Sequence, residues 1–379
     1  MQNKKIKIMI LIGDMINAGA QRVVFNSAKY LNKESIFDIK VFIVNKNNDS
    51  YYTELMKQEN IKFEHLLEKK VKIRIPYITR KITISKQKKA IDIAIKQFKP
   101  DIVHVHISQL LKIALDPIVK NNVPVRFDTL HSNPLRYKGK ELKIIKKAFN
   151  EYNFIPICLT EDQAQIAQKH YGFSKYEIIR NGLEFNNIKS KIVDKKVARK
   201  LLKIDNEKYV VACVGRLDLI KRYDFIINVL SKIENDNVIL IIAGDGPELN
   251  NLKNLSIQLK VEDRIFFIGN QENVIPVYCA ADVLAMPSKS EASPLTLIEA
   301  QLCNLRCVIS NGVPNESIVT KNVRKMDKNA NYNDWAKALL DDNFIGNAVE
   351  KIEKYNIEYN IKILKECYLK YYNEGEKNV

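Results

Sequence analysis

The sequence predicts an α/β chain built from two Rossmann-like, doubly wound domains. Three observations carry this expectation. Short β-branched apolar runs alternate with longer amphipathic stretches, the series breaks off half-way and begins again, and the runs are apolar throughout rather than at every second residue. Continuous apolar strands separated by helices imply parallel sheets covered on both faces. At 379 residues the chain is long enough for two such cores.

In the first half the expected strands are 5–12 ("KIKIMILI"), 38–44 ("DIKVFIV"), 101–107 ("DIVHVHI"), 123–130 ("VPVRFDTL") and 154–160 ("FIPICLT"). Between them, "AQRVVFNSAKYLNK" and "TISKQKKAIDIAIKQF" repeat apolar residues at helical spacing. The second series runs 209–215, 237–244, 264–269, 283–288 and 306–310, after the polar stretch "EFNNIKSKIVDKKVARK". The expected division is therefore an N-terminal domain at 1–188 and a C-terminal domain at 189–355. Residues 356–379 read as a final helix and tail.

A hydrophobic content of 46% fits a soluble globular protein, and the longest apolar runs are too short or too interrupted to cross a bilayer. The opening "MQNKKIKIMILIGD" reads as a buried first strand rather than a signal peptide, since Asp14 follows at once and no small-residue cleavage site is evident. The six cysteines, at 158, 213, 279, 303, 307 and 367, form no CxxC and no disulfide framework, which suits a reduced, cytoplasmic protein. The formal charge is +17, and residues 69–99 alone carry eleven Lys and Arg against the single acid Asp92. That segment is either a solvated helical face or a patch for anionic lipid headgroups or another polyanion. Nucleic acid is disfavoured as a partner because aromatic residues for stacking are scarce there.

Doubly wound sheets bind ligands beyond the carboxyl ends of their strands, so the loops that follow the strands matter most. The first, "GDMINAGAQR", places Gly19 and Ala20 before a helix, either as a plain turn or so that a ligand can approach the helix amides. It is not a GxGxxG fingerprint, and no GxxxxGK[ST] occurs, so nicotinamide and ATP sites are poorly supported. After strand 209–215, Arg216 and Lys221 combine a planar fork with a mobile point charge, a set suited to a diphosphate. "AGDGPE" carries Gly244 and Gly246 in a tight turn, and "FIGNQENV" supplies Asn270 in the next loop. In "SEASPLTLIEAQ", Ser293-Pro294 reads as a helix start, with Ser as N-cap and Pro at the first helical position. The free amides around Leu295, Thr296 and Leu297 would then favour a phosphate. His104 and His106 of "HVH" share one strand face and are read as a packing pair, because no third metal ligand is nearby. With no HExxH and no DxD, no metal site is expected.

Taken in order, "AGAQRVV", "DIVHVH", "TLHSN", "NGLEF", "GRLDLIK", "AGDGPE", "FIGNQENV" and "PSKSEASPLTLIEAQ" resemble the retaining GT-B glycosyltransferases of family four, across nearly the whole chain. The resemblance implies transfer of a sugar from a nucleoside-diphosphate sugar, with a UDP-sugar the expected donor, bound in a cleft between two domains. By the same resemblance Arg216 and Lys221 grip the diphosphate. Glu291 and Glu299 become the two acids of an E-x7-E motif, Glu291 for donor-sugar hydroxyls and Glu299 for the ribose. His131 matches a histidine that contacts the sugar. Catalytic roles thus fall on His131, Arg216, Lys221 and Glu291. Donor binding falls on Gly19, Arg216, Lys221, Gly244, Gly246, Asn270, Leu295, Thr296 and Glu299. No cofactor beyond the nucleotide-sugar co-substrate is implied, no metal, and no covalent nucleophile.

The expected acceptor is a glycan, lipid-diphosphate-linked, in assembly of a bacterial capsular, exopolysaccharide or O-antigen polysaccharide. Its binding is expected in the N-terminal domain, at the inner face of the cytoplasmic membrane, with segment 69–99 meeting anionic lipid. The C-terminal helix is expected to cross back to the N-terminal domain. Ala292-Ser293 departs from the glycine-hydrophobic pair common after the first acid in relatives, which leaves the sugar pocket open. The alternative is a sugar-nucleotide epimerase of the same fold, which would need acid–base carboxylates at the sugar ring.

Overall fold

The structure, a computed structural model, describes residues 4–16, 18–46, 51–67, 76–327 and 329–376. The chain forms two compact units, Met1–Gly182 with Ile357–Val379, and Leu183–Asn356.

The first unit is a seven-stranded parallel sheet. Its strands are β1 (Ile6–Ile12), β2 (Phe37–Asn45), β3 (Phe63–Leu67), β4 (Ile102–His106), β5 (Val125–Thr129), β6 (Ile155–Cys158) and β7 (Glu177–Ile178), in the order β3-β2-β1-β4-β5-β6-β7. The order reverses between β1 and β4, which are paired in parallel. The second unit holds β8 (Tyr209–Val214), β9 (Val238–Ala243), β10 (Ile265–Gly269), β11 (Val283–Met286), β12 (Arg306–Ser310) and β13 (Val323–Met326), in the order β10-β9-β8-β11-β12-β13. It reverses between β8 and β11, again a parallel pair. Two doubly wound α/β units are what the alternating sequence predicts. Central strands such as β9 are apolar throughout because helices cover both faces: its "VILIIA" is buried at every position.

Three strands escape the sequence reading, and all are edges of their sheets or next to nothing on one side. In β3, "FEHLL" is half-exposed at all positions, β7 spans two residues, and only Val323 of "VRKM" in β13 is buried. An edge strand faces solvent along one side and so lacks the unbroken apolar run that marks a central one.

The boundary also differs from the expected 188/189. Leu183 and Ile188 are both buried in the second unit's core, so the division falls at 182/183. Glycine at 182 has a steric reason: a Cβ there would lie 2.6 Å from Ile357 Cα. The chain thus leaves the first unit and re-enters it at closely packed points. The helix Ile357–Glu376 then buries Ile357, Ile361, Leu364, Cys367 and Tyr368 in the first unit's core, at helical spacing. Of the basic segment 69–99, residues 69–75 lie outside the described residues, and all of the rest but Lys99 forms the helix Pro76–Phe98. Among the described residues no helix is long and apolar enough to cross a membrane.

Candidate active site

In the second unit, the residues singled out by sequence gather at the carboxyl ends of β8, β9 and β11. The loop after β8 (215–222) packs backbone to backbone on the loop after β9. Gly215 N donates to Ala243 O, Leu217 N to Asp245 O, and Glu248 N to Leu217 O. This contact explains Gly244 and Gly246. A Cβ on Gly244, whose φ is 140°, would lie 2.0 Å from Gly215 O, and one on Gly246 would lie 2.3 Å from Leu217 O. Pro247 precedes the N-cap Glu248 of the helix Leu249–Gln258. The effect is to hold the Arg216–Lys221 loop rigidly against the sheet.

Arg216 is exposed and, among the described residues, makes no ion pair. Lys221 does: its Nζ lies 2.7 Å from Glu291 Oε1, with the side chains only 17% and 12% exposed. The loop after β11 is brought to it by backbone bonds, Lys289 N to Ile220 O at 2.8 Å and Glu291 N to Gly312 O at 2.9 Å. Two residues seventy positions apart are therefore one unit, and Glu291 is not a solvated loop acid.

The helix Leu295–Leu302 follows, but its start corrects the sequence reading. Pro294, not Ser293, is the N-cap, and no side chain caps the helix. Leu297 N and Ile298 N both reach Pro294 O, so the amides of Leu295 and Thr296 precede the first hydrogen-bonded amide of the turn. Ser293 does not cap the helix, and its Oγ is buried with no hydrogen-bond partner. Ser288 Oγ and Thr296 Oγ1 are likewise buried and unpartnered. Ser293 and Thr296 flank the helix start, and Ser288 lies at the head of the loop that leads to it; buried hydroxyls without a partner are unusual. Glu299, one turn on, is 3% exposed and accepts a 3.1 Å hydrogen bond from Tyr278 Oη. Ser310 Oγ donates to Ser288 O and fixes the strand end that begins this loop.

The remaining positions are simpler. Asn270 is exposed just beyond β10. Gly19 is the exposed first residue of the helix Gly19–Leu31, and a Cβ there would meet nothing within 4 Å. A ligand can therefore approach that backbone closely.

His131 belongs to the first unit, two residues beyond β5. Its Nε2 lies 2.9 Å from His106 Nδ1, and the two rings are stacked with centroids 5.1 Å apart. Burial pushes His131 down to about 4, so it is neutral at pH 7. His104 is the packing residue expected of it, hydrogen-bonded at 2.6 Å to both Tyr368 Oη and Thr129 Oγ1. His106 stacks on it, as the packing-pair reading expects, with centroids 4.1 Å apart, and also reaches His131. Beneath the same loop, Asp128 is fully buried and held up to about 8 by burial, with Ser108 beside it. Among the described residues no group of three or more His, Cys, Asp or Glu could hold a metal. A separate cavity of about 400 Å³ opens beyond β1, β2 and β4, lined by Asp14, Asn45, Gln87, Gln109 and Lys112 among others. It sits where the strand order reverses, the usual ligand position in such sheets.

Residues 194–364 match the family Glycosyl transferases group 1, and residues 17–186 match Glycosyltransferase Family 4. The UDP-Gal:alpha-D-GlcNAc-diphosphoundecaprenol alpha-1,3-galactosyltransferase of Escherichia coli is 26% identical over 260 residues, 65% of this chain and 67% of that enzyme. The chain is a GT-B glycosyltransferase. Solved structures agree on the fold. Anabaena HepE in complex with UDP and glucose superposes with a TM-score of 0.77 over 96% of this chain and 100% of that one, at 16% identity. The sucrose-phosphate synthase of Thermosynechococcus elongatus gives 0.80 over 98% and 100%, also at 16%.

Within the second unit, this glycosyltransferase brings Arg216, Lys221, Gly244, Gly246, Glu291, Leu295, Thr296 and Glu299 onto neighbouring loops and one helix. Sequence reasoning missed Ser288, Tyr278 and His106. Ser288 could have been found as a serine at the end of an apolar strand, and His106 by its shared face with the strand that leads to His131. Nothing in the sequence signals that Tyr278 reaches Glu299.

Proposed function

We propose that this glycosyltransferase is a retaining, metal-independent enzyme of family four. It moves a sugar from a nucleoside-diphosphate sugar, a UDP-sugar, to a lipid-diphosphate-linked glycan in bacterial cell-surface polysaccharide assembly. The observation that carries the donor reading is the largely buried Lys221–Glu291 pair, whose acid lies in the loop that leads three residues later into the helix N-terminus at Pro294 and Leu295. Breaking a glycosyl–phosphate bond leaves charge on the departing diphosphate. Preorganised donors and cations aimed at that charge lower the barrier.

In this reading the β-phosphate takes the Leu295 and Thr296 amides, with Arg216 and Lys221 as counter-charges in place of a metal ion. Lys221 exchanges part of its bond to Glu291 for the phosphate, which frees Glu291 oxygens for the sugar hydroxyls. Glu299, steadied by Tyr278, receives the ribose diol, and the nucleotide lies along Gly244, Gly246 and Asn270. His131, neutral, hydrogen-bonds a sugar hydroxyl. Gly19 adds helix amides for an anionic group of the substrates. The acceptor occupies the cavity beside Asp14, Asn45 and Gln87, whose polar groups suit a hydroxylated ring. The Escherichia coli relative, named for a diphosphoundecaprenol-linked acceptor, supports that choice. The exposed lysines of helix Pro76–Phe98, Lys86 and Lys89 among them, meet anionic lipid at the inner face of the cytoplasmic membrane.

The test is a panel of nucleotide sugars incubated with and without a synthetic polyprenyl-diphosphate sugar. Product is followed by mass and the anomeric configuration by NMR. Appearance of the donor's sugar on the lipid with retained configuration supports the proposal. Conversion of one nucleotide sugar into its epimer, with no transfer, supports the epimerase instead.

A further inference from the structure

His106 is a buried titratable group that the reading above does not use. Its ring is stacked between His104, with centroids 4.1 Å apart, and His131 at 5.1 Å. It is 1% exposed, and among the described residues its polar contact is the 2.9 Å bond to His131 Nε2. Below it, His104 is clamped by Tyr368 of the C-terminal helix and by Thr129. The stack therefore rests on a base that cannot easily shift. All three rings are held neutral by burial: His104 is lowered to about 3, His131 to about 4, and His106 well below its ordinary value.

A neutral imidazole carries one N–H and one bare nitrogen. The bond between His106 Nδ1 and His131 Nε2 holds one proton, so the two tautomers are linked. If His131 Nε2 donates, His106 Nδ1 is bare and His106 carries its proton on Nε2. If His106 Nδ1 donates, His131 Nε2 is bare and His131 carries its proton on Nδ1. Either way both rings adopt the same tautomer, Nε2–H together or Nδ1–H together.

The far side of His106 is built to tolerate this. Its Nε2 is buried with no protein partner, and the residue lines a cavity of about 30 Å³ with Asn181, whose Oδ1 is also buried without a partner. That volume holds one or two waters, and a water between polar groups satisfies both. The Asn181 position lies two residues before the chain enters the second unit.

From this geometry we infer that His106 is a positioning residue: it fixes the ring orientation of His131 and couples its tautomer to its own, with a buried water on its other side. The inference rests on His131 acting on the sugar, but the coupling itself does not. Removing a group that orients a reacting residue typically costs 10–100-fold.

The experiment uses the full chain with two substitutions. In His106→Leu the partner atom is gone, whereas in His106→Asn an amide stands near the former Nδ1 and can still bond His131. Expected are a fall in kcat of roughly ten-fold or more for His106→Leu, donor KM within about three-fold of wild type, and recovery of most of the loss in His106→Asn. Long-range ¹⁵N–¹H NMR on histidine-labelled protein should assign one common tautomer to His106 and His131. It should also show the His131 ring nitrogens changing state in His106→Leu. A folded His106→Leu enzyme with wild-type kcat would overturn the inference, as would opposite tautomers in the two rings or an unchanged His131 spectrum. Full activity in His131→Ala would instead defeat the role of His131 on the sugar, while leaving the NMR result standing.

Discussion

The pairing of Lys221 with Glu291 is the most informative single contact. A cation and a carboxylate held 2.7 Å apart and mostly out of water each depend on the other. Lys221→Ala and Glu299→Ala should each lower turnover by about 100-fold or more with the circular dichroism spectrum unchanged, and Lys221→Ala should also lower the melting temperature because it leaves the Glu291 carboxylate without its counter-charge. Near-normal kcat in both would show that the donor lies elsewhere. A second residue-scale prediction concerns pH. Asp128 is raised by burial from 3.8 to about 8, so over that range the folded state holds a proton that the unfolded state has lost. Its contribution to stability therefore declines as pH rises from about 4 to 8. His104 and His131 act in the opposite direction, because the unfolded state protonates first as pH falls from 6.5 toward about 4 and 3. Asp128→Asn should remove the alkaline slope alone. Urea unfolding at pH 5 and pH 8 should show the variant gaining on wild type by at least about 1 kcal/mol between the two. Parallel curves would mean that Asp128 is ionised in the fold.

At the scale of elements, the glycine loops and one helix start set the site. Gly246→Ala would drive a Cβ to within 2.3 Å of Leu217 O, a backbone atom that cannot swing aside. A loss of about 1–3 kcal/mol is expected, together with weaker donor binding, because the Arg216–Lys221 loop must shift. Chemical denaturation and donor KM measured on the same preparation check both effects. Unchanged stability would mean that the two loops are not locked together. The sequence made much of this legible. The central strands announce themselves as unbroken apolar runs, and the loops after them hold the charged residues that matter. The start of helix Leu295–Leu302 differs from the expected one because Ser-Pro is a common helix start, and only the fold reveals that Pro294 is the N-cap and that the Ser293 hydroxyl is buried without a partner. Edge strands β3, β7 and β13 were invisible because half of each faces water. The Tyr278–Glu299 and His106–His131 bonds join residues 21 and 25 positions apart, and no local pattern encodes which side chains meet between two helices or beyond neighbouring strands.

For the whole molecule, the order of motifs along the chain was more telling than any one of them. Gly244, Gly246, Lys221 and Glu299 are each ordinary in isolation, and it is their recurrence after successive parallel strands that points to a nucleotide. Net charge was less instructive: +17 says that polyanions are attracted but not which one. If helix Pro76–Phe98 meets anionic lipid, changing Lys86 and Lys89 to Glu should weaken co-sedimentation with phosphatidylglycerol vesicles at low salt. Wild-type binding that is absent, or unaltered by the change, would remove that part of the account. The donor site itself is tested most directly by ligand-induced stabilisation, since a molecule that binds only the folded state raises the melting temperature with its concentration. UDP, GDP, ADP and a mixed oligonucleotide should be titrated against wild type and Lys221→Ala. A dose-dependent rise with UDP that is lost in Lys221→Ala, and none with the oligonucleotide, is the predicted result. No rise with any nucleoside diphosphate would contradict it.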